Sequence, residues 1–67
     1  MSVARVTEIQ VSSKKSFQDA LEQGVKRSNR TLRNVSGVWV KDQRVVVSKG
    51  KIVEYRVLLK VTFVLDD

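Results

Sequence analysis

Apolar and polar residues alternate with two different periods along this chain. From Ser16 to Arg33 the period is helical: Phe17, Ala20, Leu21, Gly24, Val25, Ser28 and Leu32 fall on one stripe. Gln18, Asp19, Glu22, Lys26, Arg30 and Arg33 occupy the other side. Ser16 is a good N-cap, and Asp19, three positions on, is placed to complete a capping box by reaching back to the Ser16 N–H. Acids come early (Asp19, Glu22) and bases late (Lys26, Arg27, Arg30, Arg33), as the helix dipole favours.

Elsewhere the period is two. Val3 to Val11 reads as a first strand, with Thr7, Ile9 and Val11 on one face and Val6, Glu8 and Gln10 on the other. Ser12 to Lys15 is a polar connection to the helix cap. Asn34 is a stop signal for the helix, and Val35 to Val47 follows as a long second strand. Ser48 to Lys51 is a turn in which Gly50 supplies the left-handed position. In the third strand, Ile52 to Leu65, one face carries Val53, Tyr55, Val57, Leu59, Val61, Phe63 and Leu65. The expected fold is α+β in the order β-α-β-β, one domain over residues 1–67. Strands two and three form a hairpin, and strand one closes a three-stranded antiparallel sheet by pairing with strand three.

Element lengths add a constraint. A helix of about 17 residues spans roughly 25 Å, whereas strands of about 13 residues run to roughly 43 Å. The hairpin must overhang the helix. The overhang is apolar, with Val45, Val46 and Val47 at one end and Leu58, Thr62 and Val64 on the face away from the helix. An exposed apolar hairpin is an aggregation hazard, which other copies of the same chain would remove.

Composition narrows the chemistry. The 67 residues contain no cysteine and no histidine. This removes thiolate ligands, the usual general base and the commonest metal ligand. Glu8, Asp42 and Glu54 are not paired by spacing, and no glycine-rich phosphate loop is present, so an enzyme is not expected. No apolar run approaches the ~18 residues of a membrane span. The N-terminus has no signal-like apolar segment, and the expected location is cytoplasmic. The formal charge of +6 points to an anionic partner or, equally, to a solvated basic surface.

Trp39, the single tryptophan, lies mid-strand. On a strict period of two it shares a face with Gly37, Lys41 and Gln43, while Val38 and Val40 face the helix. Trp39 therefore points away from the protomer's own core. It serves either as a stacking surface for a planar ligand or as an aromatic anchor between subunits.

The ordered set Val6-Thr7-Glu8-Ile9, Ser16-Phe17, Thr31-Leu32-Arg33-Asn34, Asp42-Gln43-Arg44, Gly50 to Tyr55 and Val57 to Phe63 resembles the dodecins over nearly the whole chain. The resemblance implies a hollow shell of twelve identical chains. It also implies flavins (FMN or riboflavin) held in pairs where subunits meet, for storage or sequestration without turnover. In that family a strand-two Trp stacks on the flavin ring and a strand-three Gln bonds its polar edge. Here the Trp position falls on Gly37 and the Gln position on Arg56.

Three readings stay open. Flavin binds in an altered pocket built from Gly37, Trp39, Gln43, Arg44 and Arg56; or flavin binding is lost and the shell is structural; or another ligand, an anion or a calcium ion, takes its place. Twelve chains of +6 each would repel one another, so anionic ligands would relieve the shell. Nucleic acid on the basic helix end is a weaker reading, because no aromatic platform is interleaved with the bases.

Overall fold

The helical stripe and the strand faces meet around Leu59. A computed structural model describes residues 2–65 of the chain. Strand β1 spans Ala4–Ser13, helix α1 Phe17–Thr31, strand β2 Val35–Ser48 and strand β3 Lys51–Val64. The sheet order is β1-β3-β2, with both pairings antiparallel. The β-α-β-β expectation holds, with element ends displaced by one or two residues.

Helix α1 crosses the sheet on the face of Ile9, Val11, Val38, Val57 and Leu59. Ala20 and Leu59 are wholly inaccessible and Val57 nearly so. Gly24 is what lets the two layers touch. A Cβ at that position would lie 2.5 Å from Leu59 Cδ1 and 3.1 Å from Val11 Cγ2. One turn later the buried Ser28 hydroxyl donates to the Gly24 carbonyl at 2.9 Å, so this polar group on the apolar stripe is satisfied. At the mouth of the core, Phe17 packs edge-on against Tyr55, with ring centroids 5.1 Å apart.

The helix start differs from the expected reciprocal box. Ser16 Oγ accepts from the Asp19 N–H at 2.9 Å, as expected. The Asp19 carboxylate, however, accepts from the Ser13 hydroxyl at 2.6 Å, and Ser13 Oγ in turn accepts from the Lys15 and Ser16 N–H groups. Strand β1 runs on through Ser13, paired to Tyr55, and this delivers a hydroxyl to the cap. The helix stops at Thr31, two residues before Arg33. Leu32 is already extended, and its N–H donates to Ser28 O. Asn34 then takes a left-handed φ of 60° and exchanges hydrogen bonds with Val64, which aims β2 back along β3.

The β2–β3 turn has two left-handed residues, Lys49 (φ 53°) and Gly50 (φ 76°), the backbone pattern of a type I′ hairpin. Beyond the helix this hairpin stands nearly bare: Val47, Ile52 and Val53 are about half exposed. The molecule measures 51 × 19 × 14 Å.

Candidate functional site

The sheet face away from the helix carries the chemistry, and two bulges in β2 decide what stands on it. Directly paired residues point to the same side of a sheet. The register pairs Gly37 with Thr62, Trp39 with Lys60, Asp42 with Leu58 and Arg44 with Arg56. All of these belong to the set facing away from the core. Between Val40 and Asp42 the register slips by one residue. A bulge opposes two residues to one and so inverts the alternation beyond it.

Gln43 is the casualty of that slip. Strict alternation places it beside Trp39, but its partner is Val57, a core residue, so Gln43 stands on the helix side of the sheet. Gln43 therefore stands on the opposite side of the sheet from Trp39. Arg44 takes the position that alternation denied it, directly opposite Arg56. Lys41, at the bulge, stays with Trp39's face: its Nζ reaches Glu8 Oε1 at 2.8 Å.

Across the three strands, Glu8, Lys60 and Trp39 form one row. Lys60 Nζ lies 3.8 Å from Glu8 and 5.9 Å from the centroid of the Trp39 ring, a cation–π contact. Trp39 remains 48% exposed. The Lys41 hydrogen bond and charge, with a smaller contribution from Lys60, hold the Glu8 carboxyl below its ordinary pKa.

Four residues along β3 from Lys60, the Ser12–Arg56–Arg44 row sets two arginines directly opposite one another. Like charges directly opposite on a sheet repel, and each has a partner that softens the contact. Arg56 Nε donates to Glu54 Oε1 at 3.2 Å, and Arg44 Nη2 donates to Gln10 Oε1 at 3.4 Å. Ser12 and then Arg56 hold the Glu54 carboxyl below its ordinary pKa. At about 3.3 Å per residue, the Arg44–Arg56 pair lies roughly 13 Å from the Trp39–Lys60 pair. Gly37, at the far end of the face, has nothing within 4 Å of where a Cβ would stand. The structure thus brings Gly37, Trp39, Arg44 and Arg56 onto one face. Lys60, Lys41 and Glu8 join them there, and strict alternation alone would not have picked out this constellation.

Two clefts flank the helix on the other side. At the β2 edge, Leu21, Val25, Asn29, Val35, Ser36, Gly37 and Val38 line a mainly apolar cleft of about 360 Å³. Its counterpart at the β1 edge is basic.

No helix among the described residues is long and apolar enough to cross a membrane. No group of three or more histidine, cysteine or acidic side chains is gathered for a metal ion among the described residues.

Dodecins are among the solved structures similar to this chain. An arginine-to-alanine variant of Thermus thermophilus dodecin shares 27% identity with a TM-score of 0.92, over 100% of this chain and 98% of that one. The dodecin of Streptomyces davaonensis shares 32% identity with a TM-score of 0.91, covering 98% and 97% of the two chains. A calcium-chelating immunodominant antigen of Mycobacterium tuberculosis, a calcium dodecin, shares 30% identity with a TM-score of 0.82, covering 97% and 93%. A search of curated protein sequences returns no match. The Dodecin family model matches residues 3–66, and the chain therefore belongs to the dodecin family.

Proposed function

We propose that this protein is a non-enzymatic, self-assembling binding protein that stores or sequesters a small planar anionic ligand, with a phosphorylated flavin such as FMN the best fit. The observation that carries this reading is the half-exposed Trp39 ring on the face away from the core, with two guanidinium groups one ligand length along the same face. Trp39 offers the aromatic surface, and Arg44 and Arg56 offer a bidentate hold on a phosphate. Lys60 must leave one side of the ring for a flavin to stack there. That contact is worth about 0.5–1 kcal/mol at an exposed site, less than the ~1–3 kcal/mol typical of stacking on an aromatic side chain.

Self-assembly into a homododecamer, the arrangement implied by the family, is supported by exposed surface. A compact protein of 7.6 kDa exposes about 4,300 Å², whereas this protomer exposes 5127 Å². The surplus includes Val6, Trp39, Val40, Val47, Ile52 and Val53. The apolar cleft between α1 and β2 is a further surface that a neighbouring protomer would cover.

Calcium fits the protomer poorly. A calcium ion needs six or more oxygen ligands, several of them free carboxylates. Glu8 is held by Lys41 and Lys60, and Glu54 by Arg56.

Fluorescence titration of riboflavin and FMN at low and moderate salt tests the proposal. Saturable quenching near one flavin per protomer is expected. FMN should bind more tightly than riboflavin at low salt, by a margin that narrows as salt rises. Trp39→Leu should weaken both flavins about 5- to 100-fold, the equivalent of one lost stacking contact. Absence of quenching by either flavin overturns the flavin reading, and equal affinity for the two overturns the phosphate hold.

A further inference from the structure

The basic cleft at the β1 edge lies around the sheet from Trp39 and plays no part in the flavin reading. Its volume is about 360 Å³, and it is lined by Gln10, Val11 and Ser12 of β1 and by Gln23, Lys26, Arg27 and Arg30 of α1. The four helix residues recur at intervals of three and four, so they share one face of α1. Strand β1 is an edge strand, and among the described residues its other side has no strand neighbour. The cleft is therefore walled by a row of cations on one side and a free strand edge on the other.

We infer that this cleft is a second ligand site, taking the phosphate or pyrophosphate group of a small phosphorylated molecule. Three features point to an anion. First, no carboxylate lines the cleft, and Lys26, Arg27 and Arg30 make no ion pair among the described residues. Second, the uncharged polar lining can donate. Gln23, on the helix face that carries the cations, supplies amide donors. Third, helix chemistry accounts for only part of the charge. Arg30 complements the negative end of the helix dipole from the last turn, whereas Lys26 and Arg27 sit a turn earlier, where the dipole asks for nothing.

The number and type of cations select the group. Two arginines with a lysine suit a multiply charged phosphoryl oxygen cluster, which each guanidinium can grip with two parallel hydrogen bonds. The volume is in the range of small-molecule sites, and no aromatic residue lines it. A single nucleic-acid strand would need such a stacking platform, so the phosphate of a small molecule is the better occupant.

Equilibrium dialysis with radiolabelled inorganic pyrophosphate, on the assembled protein at 150 mM NaCl, tests this. The wild-type protein should bind saturably, and Lys26→Ala/Arg27→Ala should weaken binding at least tenfold. Lys15→Ala/Lys51→Ala removes the same charge from exposed positions away from the cleft and should change affinity less than twofold. Because Lys26 and Arg27 are both exposed, folding should survive their replacement. Arg27→Gln/Arg30→Gln, which keeps polar side chains there, provides a second variant and should also lose binding. No saturable binding, or equal losses in the cleft and control variants, would overturn the site. So would an oligonucleotide that binds more tightly than pyrophosphate and tightens with length. Flavin quenching by the Lys26→Ala/Arg27→Ala protein should match wild type, which keeps failure of this site distinct from failure of the flavin reading.

Discussion

Replacing Gly24 by alanine tests how the helix is seated. By helix propensity alone, Gly→Ala inside a helix stabilises by about 1 kcal/mol. Here the new methyl group would stand 2.5 Å from Leu59 Cδ1, with Val11 Cγ2 behind it at 3.1 Å. Leu59 is wholly buried, so its side chain has no solvent space to retreat into. Overpacking of this kind costs about 1–3 kcal/mol, and it opposes the propensity gain. The net expectation is a loss of about 1 kcal/mol, or roughly 4–8 °C in Tm for a domain of this size. Leu59→Val removes the Cδ1 that the methyl would strike. In that background Gly24→Ala should be neutral or stabilising, giving a coupling of about 1–2 kcal/mol between the two sites. Urea or thermal unfolding at one fixed protomer concentration measures all four proteins, since the stability of an oligomer depends on concentration. A Gly24→Ala protein that is more stable than wild type by the full propensity value would refute the close approach of α1 to β3.

Two further outcomes follow from the outer face. Gly37→Trp with Arg56→Gln installs the aromatic and amide pair that the family resemblance expects. Gly37 has open space around its missing Cβ, so the double variant should fold and bind riboflavin about tenfold or more tightly than wild type in the same quenching assay, while losing any preference for FMN. The pH dependence has a definite sign: Glu8 and Glu54 both have folded pKa values lowered from 4.5, so their contribution to stability is present above pH 4.5 and lost as pH falls through the lower folded values. Glu8→Gln should lower Tm slightly above pH 4.5 and leave the most acidic region nearly unchanged, so that the acid limb flattens; a Tm above pH 4.5 equal to that of wild type would mean that the Lys41 bond contributes nothing.

How much of the site could be read in advance depends on the distance over which each feature is decided. Trp39's orientation away from the core was legible, because Val38 and Val40 flank it and a strand turns its side chains over at every residue. The Arg44–Arg56 pairing was not. It requires the bulge between Val40 and Asp42, and nothing in Val40-Lys41-Asp42-Gln43 announces an extra residue in the ladder. The one useful signal was that Gln43 and Arg44 are both polar, so either parity would have left a polar residue on each face. Arg56 falls on the outer face because β3 alternates regularly from Glu54 to Val64, and its partner Glu54 lies two positions away on the same side.

By itself the sequence determined the elements, their order and the sides of the core. Helical spacing from Phe17 to Leu32, alternation from Ile52 to Phe63 and the Gly50 turn are local properties, set by the fixed geometry of helices and strands. Only the tertiary structure decided which residues meet. It brought Ser13 to the helix cap in place of a self-contained box, moved Gln43 to the helix side, and set Lys60 over Trp39. It also walled the basic cleft with residues from the end of β1 and from the middle and last turns of α1. Each of these depends on strand register or on the height of the helix above the sheet. Those quantities are fixed by packing around Gly24 and Leu59, where the chain folds back on itself, and no short stretch of sequence contains them.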